Sequence, residues 1–142
     1  MASLPACGDE TAMRALDAKC ENRHAHASTR TVVQLSKLSL ATKKDYLMNS
    51  LLWDLPYLVR CLIEAELSPD ARVGGRNGTA LHVAARNECT RALRALLAGG
   101  ANHSLVDDRS MTPLHDAAYE GQTTCLQLLV DAGASTNVQE SL

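Results

Sequence analysis

The chain has 142 residues, a formal net charge of −2 and a hydrophobic share of 46%. That is one domain's worth of chain, long enough to bury a core. Its charge balance offers no bulk attraction for nucleic acid or an anionic membrane, so the expected partner is another protein. Aromatic residues are scarce, with no Phe, one Trp and three Tyr, so the core must be built from Leu, Ala and Val.

In chain order, residues 1–9 read as disordered. Asp9 or Thr11 is placed to cap a short amphipathic helix with Met13, Leu16 and Cys20 at helical spacing. Residues 21–30 are polar and read as a loop. Residues 31–40 carry Val32, Val33, Leu35, Leu38 and Leu40; the pattern fits helix or short strand, and helix is preferred. Residues 43–52 read as a helix, and Asp54 then caps a second one with Pro56 in its first turn and Leu58, Val59, Leu62 and Ile63 inside. The next helices are expected at 80–87, 90–98, 113–120 and 123–131.

The last four helices arise from a phrase that occurs twice. Thr79-Ala80-Leu81-His82-Val83-Ala84-Ala85 returns 33 residues later as Thr112-Pro113-Leu114-His115-Asp116-Ala117-Ala118. Leu93, Leu96, Gly100 and Ala101 recur as Leu126, Leu129, Gly133 and Ala134. Identity held in register at this period marks a repeat architecture, which presents an extended surface to a partner rather than a catalytic pocket. A degraded copy precedes them, with Leu58, Cys61, Leu62 and Ile63 in its second helix and Ser68-Pro69-Asp70-Ala71 in the following loop.

Each motif position has a physical reason. Thr79 and Thr112 can satisfy orphan backbone N–H groups at a helix start. Pro113 fits the first turn. Leu81 and Leu114 point into the stack, and the alanine pairs let helices approach closely. His82 and His115 are placed to bridge the threonine hydroxyl and a neighbouring carbonyl. Gly133 suits a left-handed position after a helix. Glu88 stands where the other copy has Gly121, and Asn87 is the expected bearer of the left-handed conformation there.

These residues resemble the ankyrin repeat. The resemblance is clear from about Gly75 to Gln139 and extends in degenerate form back to about Lys43. It implies an all-α, ankyrin-type solenoid of stacked helix-turn-helix repeats with an irregular N-terminal helical extension. The units are residues 1–42 (extension, partly disordered), 43–74 (degenerate repeat or cap), 75–107 and 108–142 (repeats). No polar capping pair follows the last repeat, so the array is expected to be a shortened product of a longer one.

Chemistry finds little support. The five cysteines are scattered, and reduced buried thiols are the plain reading, which points to the cytoplasm or nucleus. Cys20, His24 and His26 fit no common zinc spacing. Gly74-Gly75-Arg76-Asn77-Gly78 falls at an inter-repeat turn rather than before a phosphate site. No nucleophile has a neighbouring base, no signal pattern or membrane-length run is present, and no cofactor is expected. The reading is a non-catalytic protein-interaction module.

By motif position, the resemblance puts Arg76, Asn77, Asp107, Asp108, Arg109 and Met111 at turns on one concave face. It puts Val83, Arg86, Asn87, Asp116, Tyr119 and Glu120 on helices of the same face. Tyr and Arg are residue types that anchor interfaces. The wording around Asp116–Glu120 and Thr124–Leu129 is similar to repeats of the ankyrin repeat and SOCS box family. That likeness implies the substrate-recognition part of a cullin-RING ubiquitin ligase adaptor. A SOCS box binds elongins and a cullin, and none is visible here, so that partnership is expected only in a longer form. The alternative is a stoichiometric inhibitor or scaffold for a kinase or transcription regulator, since His115-Asp116-Ala117-Ala118 with Gly121 is also similar to ankyrin-type cyclin-dependent kinase inhibitors.

Overall fold

The computed structural model describes residues 8–21 and 26–134, with the side chains of 19–21 and 26–30 outside that description. Of residues 1–9, expected to be disordered, 1–7 lie outside the described residues, as do the Cys20, His24 and His26 side chains.

Asp9 caps the first helix, α1 (Glu10–Glu21), its carboxylate accepting from the Ala12 N–H at 3.1 Å. The second, α2 (His26–Ser36), corrects the sequence reading: it starts inside the expected loop and ends before Leu40. The reason is the next cap. Ser39 is extended (φ −64°, ψ 158°) and its hydroxyl accepts from the Thr42 N–H at 3.3 Å, so α3 runs Leu40–Leu52. Buried Lys43 crosses to the far end of α4 (Pro56–Glu64), where its Nζ donates to the Ala65 carbonyl at 3.0 Å. A cation there meets the unsatisfied carbonyls of a helix C-terminus.

The expectation that Asp54 caps α4 fails. Asp54 adopts a left-handed conformation (φ 52°) and Leu55 takes the cap position, with Pro56 at the helix start as expected. The α4 N-terminus is instead satisfied from α1, where the Asp17 carboxylate accepts from the Leu58 N–H at 2.8 Å.

Two clean hairpins follow: α5 (Ala80–Arg86) with α6 (Thr90–Ala98), and α7 (Pro113–Tyr119) with α8 (Thr123–Asp131). Helices α3, α5 and α7 pack in one row and α4, α6 and α8 in a second, while α1 and α2 both lie against α4. Small side chains permit the spacing: Ala80, Ala84, Ala85, Ala92 and Ala117 are fully buried between rows. Leu58, Leu62, Leu81, Leu93, Leu96 and Leu129 fill the interior, with Met13, Leu16 and Leu35 extending it under the N-terminal helices. Leu81 is 1% and Leu114 6% exposed, as the repeat reading requires.

The left-handed residue between the hairpin helices recurs at Asp54 (φ 52°), Glu88 (φ 56°) and Gly121 (φ 72°). Asn87 does not carry it: its φ is −101° and its side-chain amide donates to the Val83 carbonyl at 2.8 Å. Asn87 is thereby tied to its own helix, which leaves Glu88 to make the turn.

Candidate protein interface

Two turns project beside the inner helices, around residues 68–79 and 101–112. The second is built by Asp107, whose Oδ1 accepts from the Arg109 N–H at 2.9 Å and the Met111 N–H at 3.1 Å. Ser110 takes φ 61° there without glycine, as Asn77 does at 57° one repeat earlier. Adjacent turns are bonded to each other. The Asp108 N–H donates to the Arg76 carbonyl at 2.9 Å, and Arg72 donates to the carbonyls of Asn77 (2.7 Å) and Val106 (2.8 Å).

His82 fixes the turn to the helix. The Met111 carbonyl can only accept, so His82 Nε2 carries the proton it donates across 2.7 Å. Nδ1 then accepts from the Thr79 N–H at 3.0 Å and lies 2.8 Å from the Thr79 hydroxyl. This is the bridge the motif implied, with its carbonyl supplied by the next repeat. His115 repeats the Thr112 half, its Nδ1 3.0 Å from the Thr112 nitrogen.

Beside His82 lies a buried charge cluster. Arg86 Nε donates to Asp116 Oδ2 at 3.1 Å, and its Nη2 stands 3.5 Å from Asp107 Oδ2. The Asp107 side chain has no exposed area, and that of Arg86 is 21% exposed. One repeat earlier the same two carboxylate positions are Gly74 and Val83, and a Cβ on Gly74 would come within 2.8 Å of a Val83 methyl. The last repeat therefore replaces an apolar contact with two carboxylates, and Arg86 reaches over from the middle repeat to neutralise them.

Burial lowers the His82 pKa, against the Met111 hydrogen bond and the nearby Asp116 and Asp107 charges. For Asp107, burial works to raise the pKa. The N–H donors of Met111 and Arg109, with the fields of His82 and Arg109, outweigh it, and the net shift is downward.

Among the described residues, His82, Asp107 and Asp116 are the group close enough to hold a metal, with ligand atoms within 4.8 Å of one another. Both imidazole nitrogens are already committed and Arg86 supplies the cation, so the cluster ties repeats together.

This revises the surface expected from sequence. Val83, Asp107 and Asp116 are buried and leave it. Met111 is half-buried and serves through its carbonyl, and Arg86 is committed to the cluster. Arg76, Asn77, Asp108 and Arg109 are exposed at the turns, and Asn87, Tyr119 and Glu120 at the helix ends. Tyr119 holds Arg86's position one repeat on, and is 81% exposed.

Cys61, Cys89 and Cys125 are buried and form no disulfide. Burial first, then neighbouring charges, push the Cys89 and Cys125 thiols up to about 11. No helix among the described residues is long and apolar enough to cross a membrane.

Known proteins share this plan. The chain is 33% identical over 105 residues to human ankyrin repeat and SOCS box protein 16, covering 74% of this chain and 21% of that protein. It is 32% identical over 83 residues to the E3 ubiquitin-protein ligase KEG of Arabidopsis thaliana, covering 58% and 5%. It is 40% identical over 62 residues to mouse protein phosphatase 1 regulatory subunit 12A, covering 44% and 6%. The chain thus spans between 5% and 21% of the length of these relatives. The family model for ankyrin repeats, in three copies, matches residues 41–140 of this chain. With its paired helices, threonine–histidine bridges and tied turns inside that span, the chain belongs to the ankyrin repeat family.

Proposed function

We propose that the chain is a non-catalytic recognition module that grips another protein with the face formed by its turn tips and inner-helix ends. The observation that carries this is Tyr119: a large aromatic side chain left 81% exposed on an array whose turns are tied by inter-repeat hydrogen bonds. A preorganised surface spares part of the ordering cost of association. Arg76, Asn77, Asp108 and Arg109 at the turns, with Asn87 and Glu120 at the helix ends, are the polar contacts. Three buried cysteines outside any disulfide suit a reducing compartment, cytoplasm or nucleus.

The relatives named for a SOCS box and for ubiquitin ligase activity support a finer reading: substrate recognition for a cullin-RING ligase, with elongin and cullin contacts made only by a longer form. Affinity purification from cells tests both levels, comparing this chain with an Arg109→Ala, Tyr119→Ala variant. The expected result is a prey recovered by the first and lost by the second, without elongins or a cullin. A prey list unchanged by the variant overturns the interface. Elongins and a cullin recovered with these 142 residues overturn the requirement for a longer form.

Similarity to a phosphatase regulatory subunit supports a second reading, a scaffold that holds a regulatory enzyme. Phosphatase or kinase activity in the purified complex, absent with the double variant, distinguishes it.

A further inference from the structure

The opposite side of the array carries a different chemistry. Between the outer helices α4 and α6 runs a groove of about 590 Å³. Its walls are one stripe of each helix, Tyr57, Arg60 and Ile63 on α4 and Arg91 and Arg94 on α6, with Gly99 just past the end of α6. The floor is apolar and close, because a Cβ on Gly99 would stand 2.7 Å from Ile63 Cδ1. The rim is cationic. Arg60 lies 5.5 Å from the Tyr57 ring centroid, an approach that holds a guanidinium in place. Arg91 and Arg94 are exposed, and no carboxylate among the described residues pairs with either.

The charge is local. The chain as a whole is at −2, yet this groove has three arginines against Glu64. The repeat does not impose it. Arg60 and Arg94 are the fifth residues of their helices, and the fifth residue of α8 is Gln127, which donates to Asp131 at 2.8 Å. Arg91 is the second residue of α6, where α8 has Thr124. The basic strip therefore ends between α6 and α8.

We propose that the α4–α6 groove is a second protein-binding site, which takes an acidic segment of a partner: carboxylates between the arginines, an apolar side chain on the Ile63 floor. Guanidinium groups bind carboxylates through paired N–H donors, and an apolar floor between them makes the contact more than a charge effect. Tyr57 and the arginines are the types that dominate such contacts. The site lies on outer helices, remote from the turn-tip face, and does not depend on that reading.

The test uses the isotope-labelled full chain and a short synthetic peptide alternating Asp and Glu around one Leu. Controls are the same peptide with Lys at the acidic positions, a single-stranded DNA oligonucleotide and phosphatidylserine vesicles. The expected result is saturable binding of the acidic peptide with amide shifts confined to α4 and α6, weakened about tenfold or more by the charge reversals Arg91→Glu and Arg94→Glu. Tyr119→Ala leaves it unchanged. Both arginines are exposed, and circular dichroism of the variants confirms that the fold is kept. No saturable binding, shifts on α5 and α7, insensitivity to the reversals, or binding to the oligonucleotide or vesicles but not to the peptide each overturns the proposal.

Discussion

The Asp54 carboxylate accepts a hydrogen bond from the Ala92 N–H at 2.7 Å, across 38 residues of chain. Asp54 sits in a left-handed turn of one hairpin, and Ala92 is the third residue of α6 in the next. Asp17 does the same one step earlier for Leu58, the third residue of α4. Helices α4 and α6 therefore lack a capping side chain of their own and borrow one from the preceding unit. The hairpins of α4 and α6 are thus completed by the unit before them, which couples stacking to helix formation.

Replacement at position 54 separates the two roles of the residue. Asp54→Ala loses the cap while keeping the strained φ, and is expected to cost about 1–2 kcal/mol. Asp54→Gly loses the same hydrogen bond but relaxes the backbone, and is expected to cost less. Urea melts of the three proteins check the order. Equal losses for Ala and Gly would remove the left-handed turn from the account.

The two sequence repeats carried the helices of the array because their information is local: Thr, Pro, Leu, Ala and Gly at fixed offsets. What was not legible depends on partners far along the chain. Asp54 beside Pro56 looks like a local cap, and only the stack reveals Ala92 as its acceptor's donor. Asp107 and Asp116 look like solvated turn and helix charges until Arg86 arrives from the previous repeat. One signal was present in the sequence: Asp107 and Asp116 stand where the preceding copy has Gly74 and Val83, a paired change from apolar to acidic at two neighbouring positions.

That paired change gives the next prediction. Arg86→Met leaves two buried carboxylates without a counter-charge. Breaking a buried pair costs about 3–5 kcal/mol; with Arg86 partly exposed, about 2–3 kcal/mol is expected at neutral pH. Adding Asp107→Asn to this variant removes one of the two repelling charges and is expected to recover part of the loss. Chemical denaturation of the single and double variants measures this. A penalty unchanged by the second substitution would show that Arg86 acts by packing alone.

His82 makes stability depend on pH. Its folded pKa is lowered from 6.5, so around and below that value the unfolded chain binds more protons than the folded one. Stability is full above about pH 7 and declines as the pH falls through 6.5. Protonation also places a hydrogen on Nδ1, facing the Thr79 N–H that now donates to it. Melting temperatures between pH 7.5 and 5.5 are expected to fall for the native sequence and to flatten in His82→Gln. A slope unchanged by that substitution would assign the effect to another group.

The buried thiols offer the last check, on the integrity of the stack itself. Cys89 donates to the Leu51 carbonyl and Cys125 lies 3.9 Å from the Ala84 carbonyl, so each sulfur sits at a junction between successive hairpins. Both thiols are pushed up to about 11 and carry little thiolate at pH 8, the form that reacts. Alkylation by iodoacetamide, followed residue by residue in the mass spectrometer, is expected to leave Cys61, Cys89 and Cys125 unmodified until denaturant is added. Asp54→Ala should expose Cys89 before Cys125, because the lost cap frees the start of α6, which Cys89 immediately precedes. Simultaneous labelling of the two would instead mean that the array opens as a single cooperative unit.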